Sequence, residues 1–158
     1  MASCRRCLPF AAVTALLALA AGASAKELHW RALEVEARLE PDGTLAVSEV
    51  QRMVFTGDWN GGERAFRLFA GQTVTVDRIV RIDPSTGAER ELRRGSLKEV
   101  DQWDWTSSNV VRWRSRRAED PEFAATHIDY RLDYRLTGAF KPAGERRFAL
   151  DHDFAFSD

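Results

Sequence analysis

Trp103, Trp105 and Trp113 fall close together in the chain, interleaved with Arg112, Arg114, Arg116 and Arg117, while Trp59 stands apart in a glycine-rich stretch. Tryptophan faces stack on the apolar faces of sugar rings, and arginine forks grip carboxylates or phosphates through paired hydrogen bonds. Trp59, Trp103, Trp105, Trp113, Arg112 and Arg114 are therefore the candidate ligand-binding residues, and a carbohydrate is the ligand they suit. A competing reading puts the tryptophans in a core, with the arginines stacked over them or paired with Glu119, Asp120 and Glu122. A nucleic-acid interface is not expected. The basic run is short, acids follow it directly, and the formal net charge of the chain is −1.

Other chemistry finds fewer footholds. Asp151-His152-Asp153 has the right residue types for a metal or acid/base site, but on a strand His152 points away from both acids. His29 and His127 lack partners at metal-ligand spacing. Both cysteines, Cys4 and Cys7, lie near the N-terminus, and no Gly-x-Ser-x-Gly elbow occurs. Acid pairs such as Asp101 with Asp104, or Glu119 with Asp120, are the one arrangement that would serve glycoside hydrolysis, which makes a secreted hydrolase the least favoured function. No catalytic residue, metal or cofactor is expected.

The first 25 residues give the chain an address. Arg5 and Arg6 precede an apolar stretch ending near Ala20, and Ala23-Ser24-Ala25 offers small residues to a signal peptidase, so cleavage is expected after Ala25. Lys26 and Glu27 end the apolar run too early for a membrane span. Removing residues 1–25 from 158 leaves 133, without cysteine and with 21 basic and 24 acidic side chains, since only Arg5 and Arg6 are lost. Such a chain fits one domain, residues 26–158, whose stability must come from a packed core rather than disulfides.

The elements that must position the candidates are strands. Leu33, Val35, Ala37 and Leu39 alternate with Glu34, Glu36, Arg38 and Glu40, the pattern of a half-buried strand, and Pro41-Asp42-Gly43 reverses the chain. The return, Thr44 to Phe55, changes phase between Val47 and Val50, which predicts a bulge or twist near Glu49. Gly57 to Gly62 is expected to be a loop, because it holds three glycines. Residues 72 to 82 form a further strand with Val74, Val76, Val80 and Ile82 in phase, closed by a turn at Asp83-Pro84-Ser85-Thr86-Gly87. Trp103 and Trp105 belong to a hairpin with Val111 and Trp113. Thr126 to Leu136 alternates throughout, and a last strand is expected from Arg147 to Phe156. No window outside the leader sustains a helical apolar period. The fold expected is all-β, an antiparallel β-sandwich of immunoglobulin-like size following a signal peptide. The chain stops at Ser157-Asp158 straight after an apolar strand, which predicts a domain truncated at its C-terminus.

Leu33 to Glu40, the turn Pro41-Asp42-Gly43-Thr44, the continuation Leu45-Ala46-Val47-Ser48-Glu49, and Phe55 before a glycine-rich loop leading to Arg64-Ala65-Phe66 resemble the start of bacterial predicted membrane proteins with "domain of unknown function 2207". Tyr130-Arg131-Leu132, Tyr134-Arg135-Leu136 and Gly138-Ala139-Phe140 look like that domain's closing strands. The resemblance implies an extracytoplasmic β-domain behind a signal peptide, with transmembrane segments beyond it, and it supplies no catalytic residues. The expected function is a non-enzymatic interaction or sensing domain of the cell envelope, periplasmic or on the cell surface. Its partner would be an envelope protein or a cell-wall glycan, and its link to the membrane a segment outside this sequence.

Overall fold

The computed structural model describes residues 25–154; residues 1–24, which are all of the expected leader but Ala25, and residues 155–158 lie outside the described residues. One sheet holds β1 (Glu27–Leu39), β2 (Leu45–Gly57), β9 (Phe123–Thr137), β4 (Thr73–Ile82) and β5 (Glu89–Glu91), adjacent in that order. A second orders β3 (Gly61–Ala65), β8 (Val110–Arg114), β7 (Gln102–Ser107) and β6 (Arg93–Arg94). β10 (Phe140–Pro142) and β11 (Phe148–Leu150) form a small ribbon. All pairings are antiparallel except the two-residue contact of β6 with β7. The described residues contain no helix, and the chain is the all-β sandwich its alternation implies.

Turn chemistry closes the first hairpin. Gly43 takes φ +85°, and the Asp42 carboxylate accepts the Thr44 amide at 2.9 Å, which holds that carboxyl below its ordinary range. In β2 every odd residue from Leu45 to Gly57 is buried and every even one half-buried. Its ladder with β9 runs unbroken from Leu45 to Phe55, so the bulge expected near Glu49 does not exist. The change of phase suggested by Val50 and Val54 arises because the polar Glu49 and Gln51 hold two inward positions.

The bulges lie elsewhere. One falls at Arg31, between Trp30 and Ala32, and lets Leu28 and Trp30 share the inward face with Leu33 and Val35. Another falls at Asp77, so the inward series in β4 is Val74, Val76 and then Ile79 rather than an unbroken even series. Between the sheets, Tyr130, Leu132, Tyr134 and Leu136 of β9 are almost completely buried against Phe66, Val111, Trp103 and Trp113. Each such side chain contributes about 1.5 to 3 kcal/mol of burial.

Three further expectations change. β1 is a sheet edge rather than a half-buried strand, with Val35 and Leu39 exposed, because of its apolar side chains only Leu28 packs against the core. β3 begins inside the supposed glycine loop, at Gly61 and Gly62, which lie opposite Arg114 and Trp113 where a Cβ would collide with β8. Among the described residues the last strand is Phe148–Leu150, since β10 offers three partners, and the end of the expected Arg147 to Phe156 strand lies outside them. Beyond it the chain is held by side chains: Gln72 donates to the Asp151 carbonyl and Arg64 to the Phe154 carbonyl.

Candidate functional site

A groove of about 420 Å³ opens where the start of β1 and the end of β2 face β3 and β8. Leu28, Trp30 and Met53 form one wall, Gly61, Gly62 and Trp113 the other, and Trp59 sits on the connecting loop. Lys26, Asp58, Glu63, Arg112 and Arg114 add charge around it. An apolar wall with a few polar groups is the usual make-up of a ligand site.

Local structure fixes each of these groups. The Trp59 indole N–H donates to the Glu27 carbonyl at 3.0 Å, and its ring meets Phe55 edge to face with centroids 6.4 Å apart. Lys26 Nζ stands 6.0 Å over the same ring. Buried Arg116 organises the loop: it donates to the Trp59 carbonyl at 3.0 Å, to the Asp120 carbonyl and to the Asp58 carboxylate. The Ser115 and Arg116 amides both reach the Asn60 carbonyl, at 2.8 and 3.2 Å. Arg112 pairs with Glu63 at 2.6 Å, and Arg114 reaches the Arg116 carbonyl at 3.5 Å.

Four of the six sequence candidates thus meet at one groove, namely Trp59, Trp113, Arg112 and Arg114. Trp113 is 1% exposed and serves as its floor, packed on Tyr130 with centroids 5.1 Å apart. Trp103 is buried in the core beneath Arg94, and half-buried Trp105 packs on Phe66. Sequence reasoning missed Trp30, which is 36% exposed and lines the groove beside Trp59. Its signal was present in the spacing of Leu28 and Trp30, but the bulge at Arg31 hides their continuity with Leu33 and Val35.

The acid candidates are tied to arginines. Asp101 contacts Arg81 at 3.0 Å and Arg90 at 3.5 Å. The hydrogen bond from Arg94 holds the Asp104 carboxyl below its ordinary range, which favours the ionised form over a proton donor. Asp151 pairs with Lys141 at 2.7 Å and Asp153 with Arg67 at 3.7 Å. Among the described residues no three His, Cys, Asp or Glu side chains converge as a metal site would need, and no described helix is long and apolar enough to cross a membrane.

The fold and groove define an all-β sandwich with an aromatic-lined cleft at one end of its two sheets. No family model matches the chain, and no curated protein or solved structure is similar to it.

Proposed function

We propose that the chain is an exported, non-catalytic binding domain of the cell envelope, and that it engages its partner through the Trp30 and Trp59 groove. The observation that carries this reading is the pairing of an exposed Trp30 with a braced Trp59 along one cleft, bordered by Arg112 and Arg114. A solvent-facing indole gains most by being covered, and the braced loop lowers the ordering cost of binding. The leader pattern and the likeness of the Leu33 to Glu49 hairpin to an extracytoplasmic domain support the envelope address. Fractionation with N-terminal mass determination tests that address: protein beginning at Lys26 outside the cytoplasm is expected, and uncleaved cytoplasmic protein would refute it.

A cell-wall glycan is the second reading for the partner, favoured by two indole rings on one cleft, the arrangement that stacks on sugar rings. Titration of tryptophan emission with soluble cell-wall fragments is the test. A saturable change that Trp30→Ala removes is expected. An unchanged spectrum assigns the groove to a protein partner instead.

A further inference from the structure

β1 pairs with β2 along one edge, and among the described residues no strand pairs with its other edge. Its only bulge lies at Arg31, so the ladder from Ala32 to Leu39 is regular. The inward face of that stretch carries Leu33, Val35, Ala37 and Leu39, of which Val35 is 38% and Leu39 54% exposed. The opposite face carries Glu34, already engaged by Arg52 at 3.0 Å, then Glu36, and Arg38, which reaches Glu40 at 2.8 Å. A long, straight, apolar edge of this kind is a template for another strand unless something covers it.

We propose that β1 pairs antiparallel with β1 of a second copy, about a two-fold axis passing beside Glu36, so that two five-stranded sheets join into one. Residues directly opposed in an antiparallel ladder share a face, so inward residues must meet inward ones. Centring on Glu36 sets Leu33 against Leu39, Val35 against Ala37 and Glu34 against Arg38, each twice by symmetry. Its one like-charge contact is Glu36 with its own copy. Centring on Val35 instead opposes Glu34 to Glu36 twice, and centring on Ala37 opposes Glu34 to Glu40 twice. The Glu36 register therefore has the best charge match. Because the axis is perpendicular to the sheet, both inward faces stay on one side and the exposed apolar residues of the two copies form a single strip. One stretch thus supplies both halves of its own complement, which is why the occupant is a second copy rather than a foreign strand.

The register makes opposite predictions for two exposed side chains, Glu36 and Arg38, the second of which pairs within its own chain with Glu40 at 2.8 Å. Sedimentation equilibrium of the purified chain, kept reduced, across the micromolar range is expected to show a reversible dimer. Arg38→Glu places like charges against Glu34 at both ends and is expected to raise the dissociation constant about tenfold or more. Glu36→Gln removes the repulsion at the axis and is expected to lower it. A monomer at every concentration overturns the proposal and leaves the edge to a strand of another protein. A dimer that both variants leave unchanged, or that Glu36→Gln weakens, overturns it as well, because the contact would then lie elsewhere or in another register.

Discussion

Arg64 closes on Glu49 inside the sandwich, its Nε lying 3.1 and 3.2 Å from the two carboxylate oxygens, with the side chains 1% and 0% exposed. The pair ties β3 of one sheet to β2 of the other. Gln51 donates to the same carboxylate at 2.6 Å and the Tyr134 hydroxyl approaches it at 3.4 Å. Burial, followed by the negative charge of Glu49, pushes the Tyr134 hydroxyl well above its ordinary range, so it stays a neutral donor. Arg64 also donates to the Ala65 carbonyl at 2.6 Å and to the Phe154 carbonyl at 3.3 Å.

Removing one member strands the other in a dry interior. Glu49→Gln or Arg64→Gln is expected to cost about 3 to 5 kcal/mol, whereas Glu49→Leu combined with Arg64→Met recovers most of that loss. Urea denaturation of the three variants checks it. A double variant that is no more stable than either single one would mean that the two side chains do not act as a pair.

The strand Thr126 to Leu136 and the hairpin of Trp103 with Trp113 were legible in the sequence because one buried face imposes a period of two. Glu49 and Gln51 broke that signal in β2, since charge and polarity at inward positions look like solvent-facing residues until their partner is known. Arg64 lies fifteen residues from Glu49, just past the Gly57 to Gly62 stretch whose glycines argued for a loop. The groove was half legible: Trp59, Arg112 and Arg114 drew attention by type, while Trp30 required knowing that a bulge at Arg31 carries the inward face across.

Those glycines are needed for space. A Cβ on Gly61 would run into the Trp113 carbonyl, and one on Gly62 would stand 2.5 Å from the Trp113 ring. Backbone cannot yield as a side-chain tip can. Gly61→Ala and Gly62→Ala are each expected to destabilise by about 1 to 3 kcal/mol through overpacking. By contrast Gly71→Ala meets no atom within 4 Å and is opposed only by its φ of +86°. Thermal denaturation ranks the three, and an undisturbed Gly61→Ala would refute the close packing of β3 on β8.

Arg116 braces the groove without facing a ligand. Its guanidinium serves the Trp59 and Asp120 carbonyls and the Asp58 carboxylate while only 4% exposed. Arg116→Ala leaves those acceptors without their charged donor and is expected to cost about 1.5 to 3 kcal/mol. The loop should also loosen around Trp59. Acrylamide quenching of tryptophan emission is expected to increase in this variant but not in Arg112→Ala, whose partner Glu63 is solvent-exposed.

His152 makes the stability depend on pH. Its ring is half-buried against Phe154 with centroids 4.7 Å apart, and among the described residues neither ring nitrogen has a hydrogen-bond partner. Arg64 faces it as a cation, while Asp151 and Asp153 are engaged by Lys141 and Arg67. Burial first, and the Arg64 charge second, hold its pKa below the ordinary 6.5. In the unfolded chain the ring protonates near 6.5 and in the folded chain only at lower pH, so between those values the unfolded state binds more protons. The contribution of His152 is therefore whole above 6.5, and falls away as the pH drops from there through the folded value. Carboxylates also lose stability on acidification, so the decisive quantity is the difference between the parent and His152→Gln. Urea midpoints at about pH 8, 7, 6 and 5 are expected to fall more steeply for the parent than for the variant below neutrality. Parallel curves would mean that the ring titrates as freely in the fold as in the open chain.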